Sequence, residues 1–227
     1  MFRWSLLFTL WLVAFAPTIP AQDKPTTEAA AVERTRLLVQ EIITASYPEL
    51  RGADIEVKTL QSDSDYFRTT FSISRFLFGR KMRYILRVNP KVFERNAPEA
   101  GIRAILAHEL GHAFYFKKGK RIRLLGLVRL LSKGYTARFE RWTDLQALTR
   151  GYAEGLKAYR RWLYQNVPRK KMEEKRRNYF SPEEIDAIVA AIATRPALQA
   201  YWFKRVPRNL AEIVSTKARA GARRDTK

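Results

Sequence analysis

The sequence predicts an α+β fold, in which a small antiparallel sheet packs on one helix and a mainly helical C-terminal half follows. Residues 53–88 alternate polar and apolar side chains and are rich in β-branched and aromatic residues, as strands are. Apolar residues at helical spacing then run towards Gly119 and recur in the C-terminal third. About 200 residues follow the N-terminal segment, enough for one domain with its own core.

The first 21 residues have the pattern of an export signal. Arg3 precedes an uncharged apolar run, Ser5–Ala16, and a proline-containing segment ends at Ala21. The run is too short to span a bilayer comfortably, which favours a cleaved signal, with an uncleaved membrane anchor as the alternative. We therefore expect an exported protein, periplasmic or secreted, that is either free or held at the membrane by its signal.

The rest of the chain is predicted to form one domain, residues 32–216, between a polar linker at 22–31 and a basic, disordered tail at 217–227. Cysteine is absent, so neither disulfides nor thiolate ligands are available. The domain should open with a packing helix that ends before Pro48. Its expected apolar face consists of Val32, Leu37, Leu38, Ile42 and Ile43.

Three strands are predicted next, at Asp54–Lys58, Tyr66–Ser74 and Lys81–Val88. The last of these is the candidate edge strand, where an extended peptide could pair with the sheet. Its arginines could equally be charges that protect an edge from pairing.

The central motif is HELGH at residues 108–112, which contains the only two histidines of the 227 residues. On a helix, His108 and His112 share a face, so both imidazoles can reach one ion, and this pair suits Zn²⁺. Glu109 between them can act as general base on a water that the metal activates. The alternative is a chance match on a buried helix.

The motif helix should begin at Asn96, because Asn at the cap with Glu99 three residues later matches a capping box. It should continue to Gly119. Its neighbourhood is uncharged, as a buried metal helix requires, and Gly111 would let another backbone approach closely.

A third ligand follows by elimination. A catalytic zinc site takes three protein ligands, and with no further histidine and no cysteine the third must be Asp or Glu. Glu140 is the first carboxylate after the motif, and Asp144, four residues later, could orient a ligand histidine. The alternative is a surface acid pair bridged to Arg138 or Arg141.

HELGH followed by Glu140-x-x-x-Asp144 resembles the gluzincin metallopeptidases, particularly the minimal forms related to the HtpX and CAAX-prenyl-protease group. The resemblance covers roughly residues 81–155 and implies a zincin-like fold, with Glu140 as zinc ligand. The usual second motif is Glu-x-x-Ala-Asp, and this chain has Thr143 at the alanine position.

The formal charge of +21 predicts attraction to anionic partners. Basic residues 117–123 lead into an apolar run, 124–131, that could lie in a membrane interface or tuck into the core. For an exported protein, an anionic membrane surface or cell-envelope polymer is the expected partner, and nucleic acid is not. The charge could also serve solubility alone.

Two further features lie after the second motif. Tyr152 is a candidate donor to a developing oxyanion, although tyrosines at helical spacing more often pack in a core. Ser181 with Glu184 should begin another capped helix.

The sequence thus predicts an exported zinc metallopeptidase that hydrolyses peptides or proteins. The main alternative is a basic, envelope-associated binding protein whose metal site is structural or vestigial. A weaker one is a zinc hydrolase that acts on other amide bonds, since a site does not name its substrate.

Overall fold

A computed structural model describes residues 27–119 and 133–222. The predicted export signal and the apolar run 124–131 lie outside these ranges. The elements follow in the order α1 (Thr27–Ser46), a 3₁₀ turn (Pro48–Leu50), β1 (Asp54–Thr59), β2 (Phe67–Phe71), α2 (Ile73–Leu77), β3 (Arg83–Val88), α3 (Lys91–Glu94), α4 (Glu99–Lys118), α5 (Lys133–Ala147), a π-helical turn (Leu148–Tyr152), α6 (Ala153–Asn166), α7 (Arg169–Asn178), α8 (Pro182–Thr194), α9 (Ala197–Lys204) and α10 (Leu210–Ala222). The predicted α+β class is confirmed.

The three strands form a mixed sheet in the order β1-β3-β2. Strand β1 runs parallel to β3, from Asp54 opposite Arg83 onwards, whereas β2 is antiparallel to β3. The prediction of a purely antiparallel sheet was therefore wrong, because alternation along a strand does not specify its partner.

The prediction that the last strand is an edge was also wrong, since β3 is central. Its arginines are cross-strand partners and not edge charges: Arg83 Nε lies 3.0 Å from Asp54 Oδ2 on β1, and Arg87 donates to Thr70 Oγ1 on β2 at 2.9 Å. The two edges of the sheet are β1 and β2.

Helix α1 begins at Thr27, so residues 27–31 form its first turns and do not belong to a linker. It ends at Ser46, before Pro48, as predicted. Its buried stripe contains Leu38 and Ile42, but Leu37 is exposed because it projects about 100° away from Leu38 around the helix axis.

Helix α4 carries the motif and forms the centre of the molecule, packing against α1, β2, α5 and α6. Every residue from Ala104 to Ala113 is buried, as expected of a helix that is largely apolar on all sides. The helix begins at Glu99 and not at Asn96, whose positive φ of 50° terminates α3 instead. Asn tolerates this conformation better than most residues.

Two glycines allow close contacts between α4 and its neighbouring helices. A Cβ atom on Gly111 would lie 2.8 Å from the side-chain atom Thr143 Cγ2 of α5 and 3.6 Å from the Thr143 carbonyl oxygen, so the close approach at this glycine is made by a side chain and not by the predicted backbone. A Cβ atom on Gly155 of α6 would lie 2.3 Å from the Ala100 carbonyl oxygen.

The C-terminal helices α8 to α10 complete the described chain. The predicted capping box at Ser181 and Glu184 is present. Helix α10 continues to Ala222, so residues 217–222 are helical and do not form a disordered tail, and residues 223–227 are outside the described part. Within the described ranges, no helix has the length and apolar character needed to cross a bilayer.

Candidate metal centre

Helices α4 and α5 bring the three predicted ligands together. His108 Nε2 lies 3.1 Å from Glu140 Oε2, and His112 Nε2 lies 3.3 Å from the same oxygen. The one available ligand atom of each residue lies within 4.8 Å of the others. Both histidines are buried, and the glutamate is partly exposed.

The two nitrogen-to-oxygen distances fit a small tetrahedral cation. Zinc is bound at about 2.0–2.1 Å by imidazole nitrogen and carboxylate oxygen, so neighbouring ligand atoms lie about 3.3 Å apart. The distances from the two histidine nitrogens to Glu140 Oε2, 3.1 and 3.3 Å, match this spacing. The His/His/Glu group can therefore bind a metal ion, and its donor set suits zinc.

The second nitrogen of His108 is fixed by Asp144. Nδ1 lies 2.8 Å from Asp144 Oδ1, so a proton on Nδ1 leaves the Nε2 lone pair directed at the ligand cluster. Asp144 also accepts from the Arg160 guanidinium at 2.7 Å and from the Phe180 N–H at 3.0 Å. Burial opposes ionisation, but Arg160 and His108 outweigh it and lower the pKa of Asp144.

The second nitrogen of His112 faces Thr143, with 3.4 Å between Nδ1 and Oγ1. The Thr143 hydroxyl donates to the Phe139 carbonyl at 2.9 Å, which leaves its oxygen able to accept the imidazole N–H. Thr143 thus contacts one of the three predicted ligands. Each histidine has its own partner behind the cluster.

The electrostatics of the cluster favour a protonated His108 beside an ionised Glu140. Burial disfavours the charged form of His108, yet the hydrogen bonds to Asp144 and Glu140 raise its pKa to about 9. Burial likewise opposes ionisation of Glu140, but the two histidines hold the pKa of that carboxyl well below its usual range. A divalent cation bound here would replace the proton on the imidazole.

The carboxylate of Glu109, the only one in the motif, is incompletely paired. Its side chain is buried, and Oε2 has no hydrogen-bond partner within the described part of the chain. A buried oxygen of this kind costs free energy unless water or a ligand reaches it. It lines both a large cleft and a small adjoining cavity of ≈ 30 Å³.

The large cleft gives the cluster access to solvent. It has a volume of ≈ 560 Å³, and His112 and Glu140 line it together with Glu109. Strand β2 contributes all five of its residues, 67–71, and α7 contributes Glu174 among others. The His/His/Glu cluster thus borders a space large enough for an extended peptide segment.

Tyr152, the predicted oxyanion donor, is not among the residues that line this cleft. Its hydroxyl lies 3.0 Å from Ser46 Oγ on α1. Gly151, at a φ of 91°, breaks the helical path after α5, so closeness in sequence to the ligand helix does not bring Tyr152 to the ligands. The structure therefore does not bring Tyr152 into the cleft with the three predicted ligands.

Two residues that the sequence did not indicate lie beside the cluster. Tyr179 lines the cleft, and its ring centroid is 5.8 Å from that of His108. The fully buried Arg160 pairs with Asp144 and stacks on the Tyr179 ring at 4.4 Å. Arg160 did leave a signal, because it occupies the apolar stripe of α6 between Leu156 and Leu163. Tyr179 left none.

Comparison of the chain with protein-family models, with curated proteins and with solved structures finds no match in any of the three.

We predict that Asp144→Asn lowers stability by about 3–5 kcal/mol, because it leaves the buried Arg160 guanidinium without its counter-ion. Metal affinity should fall by about 10–100-fold, since the His108 ring loses its orienting carboxylate. Denaturant unfolding and zinc titration measure the two effects separately.

The double variant Asp144→Asn/Arg160→Met should regain stability but not metal affinity. Glu184→Gln is the matched control, because it weakens another buried ion pair, with Arg141, that includes neither a predicted ligand nor Asp144, and it should leave zinc affinity unchanged. An Asp144→Asn protein that binds zinc as tightly as the wild type would contradict the orienting role.

Proposed function

We propose that this protein is a zinc-dependent peptidase in which Glu109 is the general base. The observation that carries the proposal is the buried, unpaired Glu109 oxygen beside a His/His/Glu cluster at an open cleft. A purely structural metal site has no need of such a carboxylate. Bound Zn²⁺ would supply Lewis-acid activation of a water molecule and of the substrate carbonyl.

The chain's own residues have distinct roles in this proposal. His108, His112 and Glu140 hold the ion, and Asp144 keeps the His108 ring in the required tautomer. Glu109 accepts a proton from the attacking water and later returns it to the leaving amine. Its position in the cleft that His112 and Glu140 also line supports this role.

Tyr179 replaces Tyr152 as the proposed donor to the developing oxyanion. Burial raises the pKa of its phenol well above the usual value, and the Glu140 carboxylate raises it further. The hydroxyl therefore keeps its proton at neutral pH and can donate a hydrogen bond. The Arg160 guanidinium, stacked on the ring, fixes where the phenol lies.

Strand β2, in place of β3, is the proposed substrate edge. It pairs only with β3 among the described strands, and all of its residues line the cleft. An extended peptide can add to such an edge through main-chain hydrogen bonds, which would place a peptide bond near Glu109. The same geometry is compatible with hydrolysis of another amide polymer, which a substrate screen distinguishes.

We predict that Glu109→Gln retains zinc but lowers kcat by about 10²–10⁴-fold, because the amide cannot accept the proton of the attacking water. Hydrolysis of an unstructured protein substrate, with zinc content measured on the same samples, is the assay. Full activity in this variant would exclude Glu109 as the base. No hydrolysis by the wild type over a broad substrate set, despite bound zinc, would favour the binding-protein alternative.

The two tyrosines provide a matched pair of variants. Tyr179→Phe should lower kcat by about 10²–10³-fold with little change in KM, because the lost hydrogen bond is made to the transition state. Tyr152→Phe removes only the contact with Ser46 and should leave kcat within about twofold of the wild type. The reverse ranking would return the role to Tyr152.

A further inference from the structure

Large exposed hydrophobic side chains concentrate at one place, the tip formed by residues 73–81 between β2 and β3. Ile73, Leu77 and Phe78 are 66%, 67% and 76% exposed, the highest values for large hydrophobic residues in the described part of the chain. An exposed apolar cluster of this kind indicates a site of contact with another protein or with a membrane.

The tip is held in this orientation by its own contacts. The Ser72 N–H donates to the Arg83 carbonyl at 2.8 Å, and Gly79, at a φ of 68°, forms the turn after α2. Phe76 packs inward, with its ring centroid 5.5 Å from that of Phe71. Ile73 and Leu77, four residues apart, share one face of α2, and both side chains are exposed.

The charged residues in the segment that carries the tip are all basic. No acidic residue occurs between Tyr66 and Phe93. Arg75 of α2 and Arg83 of β3 pair with Asp54, and the side chains of Arg80 and Lys81 are exposed within three residues of Phe78. Exposed apolar side chains next to cations are suited to a partner with an apolar interior and anionic groups at its surface, such as a bilayer that contains anionic lipids.

We propose that the tip docks on an anionic lipid bilayer, with Ile73, Leu77 and Phe78 in the boundary between headgroups and acyl chains. Arg80 and Lys81 then face the lipid phosphates. A second copy of the chain fits less well, because it would bring together two molecules that each carry a formal charge of +21. An anionic polymer would satisfy the cations but not the apolar side chains.

Docking through the tip also orients the molecule. Ile73 belongs both to the tip and to the lining of the cleft that contains Glu109 and His112. The cleft therefore opens beside the bilayer when the tip is inserted. The docking itself does not depend on the proposed hydrolysis and can be tested on the Glu109→Gln protein.

The test uses site-specific labels on the full chain, which contains no cysteine. Phe78→Cys and Val214→Cys each receive one environment-sensitive fluorophore and are mixed with vesicles of phosphatidylcholine, with or without phosphatidylglycerol. Val214 is a matched control, since it is an apolar residue 56% exposed on α10. The label at 78 should shift to shorter wavelength on the anionic vesicles, and the label at 214 should not.

A second measurement compares vesicle binding of two variants. Ile73→Ser/Leu77→Ser/Phe78→Ser should bind anionic vesicles at least about tenfold more weakly, and Leu210→Ser/Val214→Ser within about twofold of the wild type. Because the apolar run Ser5–Ala16 could itself enter a bilayer, the label decides where contact occurs. A solvent-like spectrum at 78 on vesicle-bound protein would overturn the proposal. So would a tip-dependent dimer in sedimentation without a spectral shift on vesicles.

Discussion

The buried carboxylate of Asp144 is the interaction on which the site depends. It accepts from His108 on α4, from Arg160 on α6 and from the Phe180 backbone, and it belongs itself to α5. Four parts of the chain thus meet at one fully buried charge. Such a charge is tolerated only when its partners are all in place, so the folded arrangement and the ligand geometry are established together.

The motif helix is the second constraint. A helix buried on every side cannot carry polar residues without partners, and the two histidines meet this condition through Asp144, Thr143 and Glu140. Glu109 does not meet it. A local violation of this kind, beside the ligand cluster, is expected at a functional site, where stability is given up for chemistry.

The parts of the site that were predictable are those with local or compositional signals. His108 and His112 follow from helical periodicity, and Glu140 follows because the chain offers no other ligand type. Tyr179 could not be found in this way. It is brought to the site because the next residue, Phe180, donates its backbone N–H to Asp144, and these two residues are 36 apart in sequence. Tyr152 follows α5 closely in sequence but does not line the cleft, since Gly151 changes the direction of the chain after α5.

The same division applies to the fold. Alternation identified all three strands but not their order, because pairing depends on partners such as Asp54 and Arg83 that no single strand reveals. The start of α8 was predicted correctly from its cap at Ser181. The start of α4 was predicted at Asn96 but lies at Glu99, because Asn96 terminates the preceding short helix α3. Tertiary context therefore decided the boundaries where two local signals competed.

The central claim is that His108, His112 and Glu140 together hold a zinc ion. Its most direct test is the zinc content of the purified wild type and of Glu140→Ala after dialysis against a weak chelator. Glu174→Ala is the control, since it removes another carboxylate of the same cleft. The wild type and the control should retain one zinc per chain and Glu140→Ala should lose it, because two imidazoles alone bind zinc weakly. Stoichiometric zinc in Glu140→Ala would contradict the assignment.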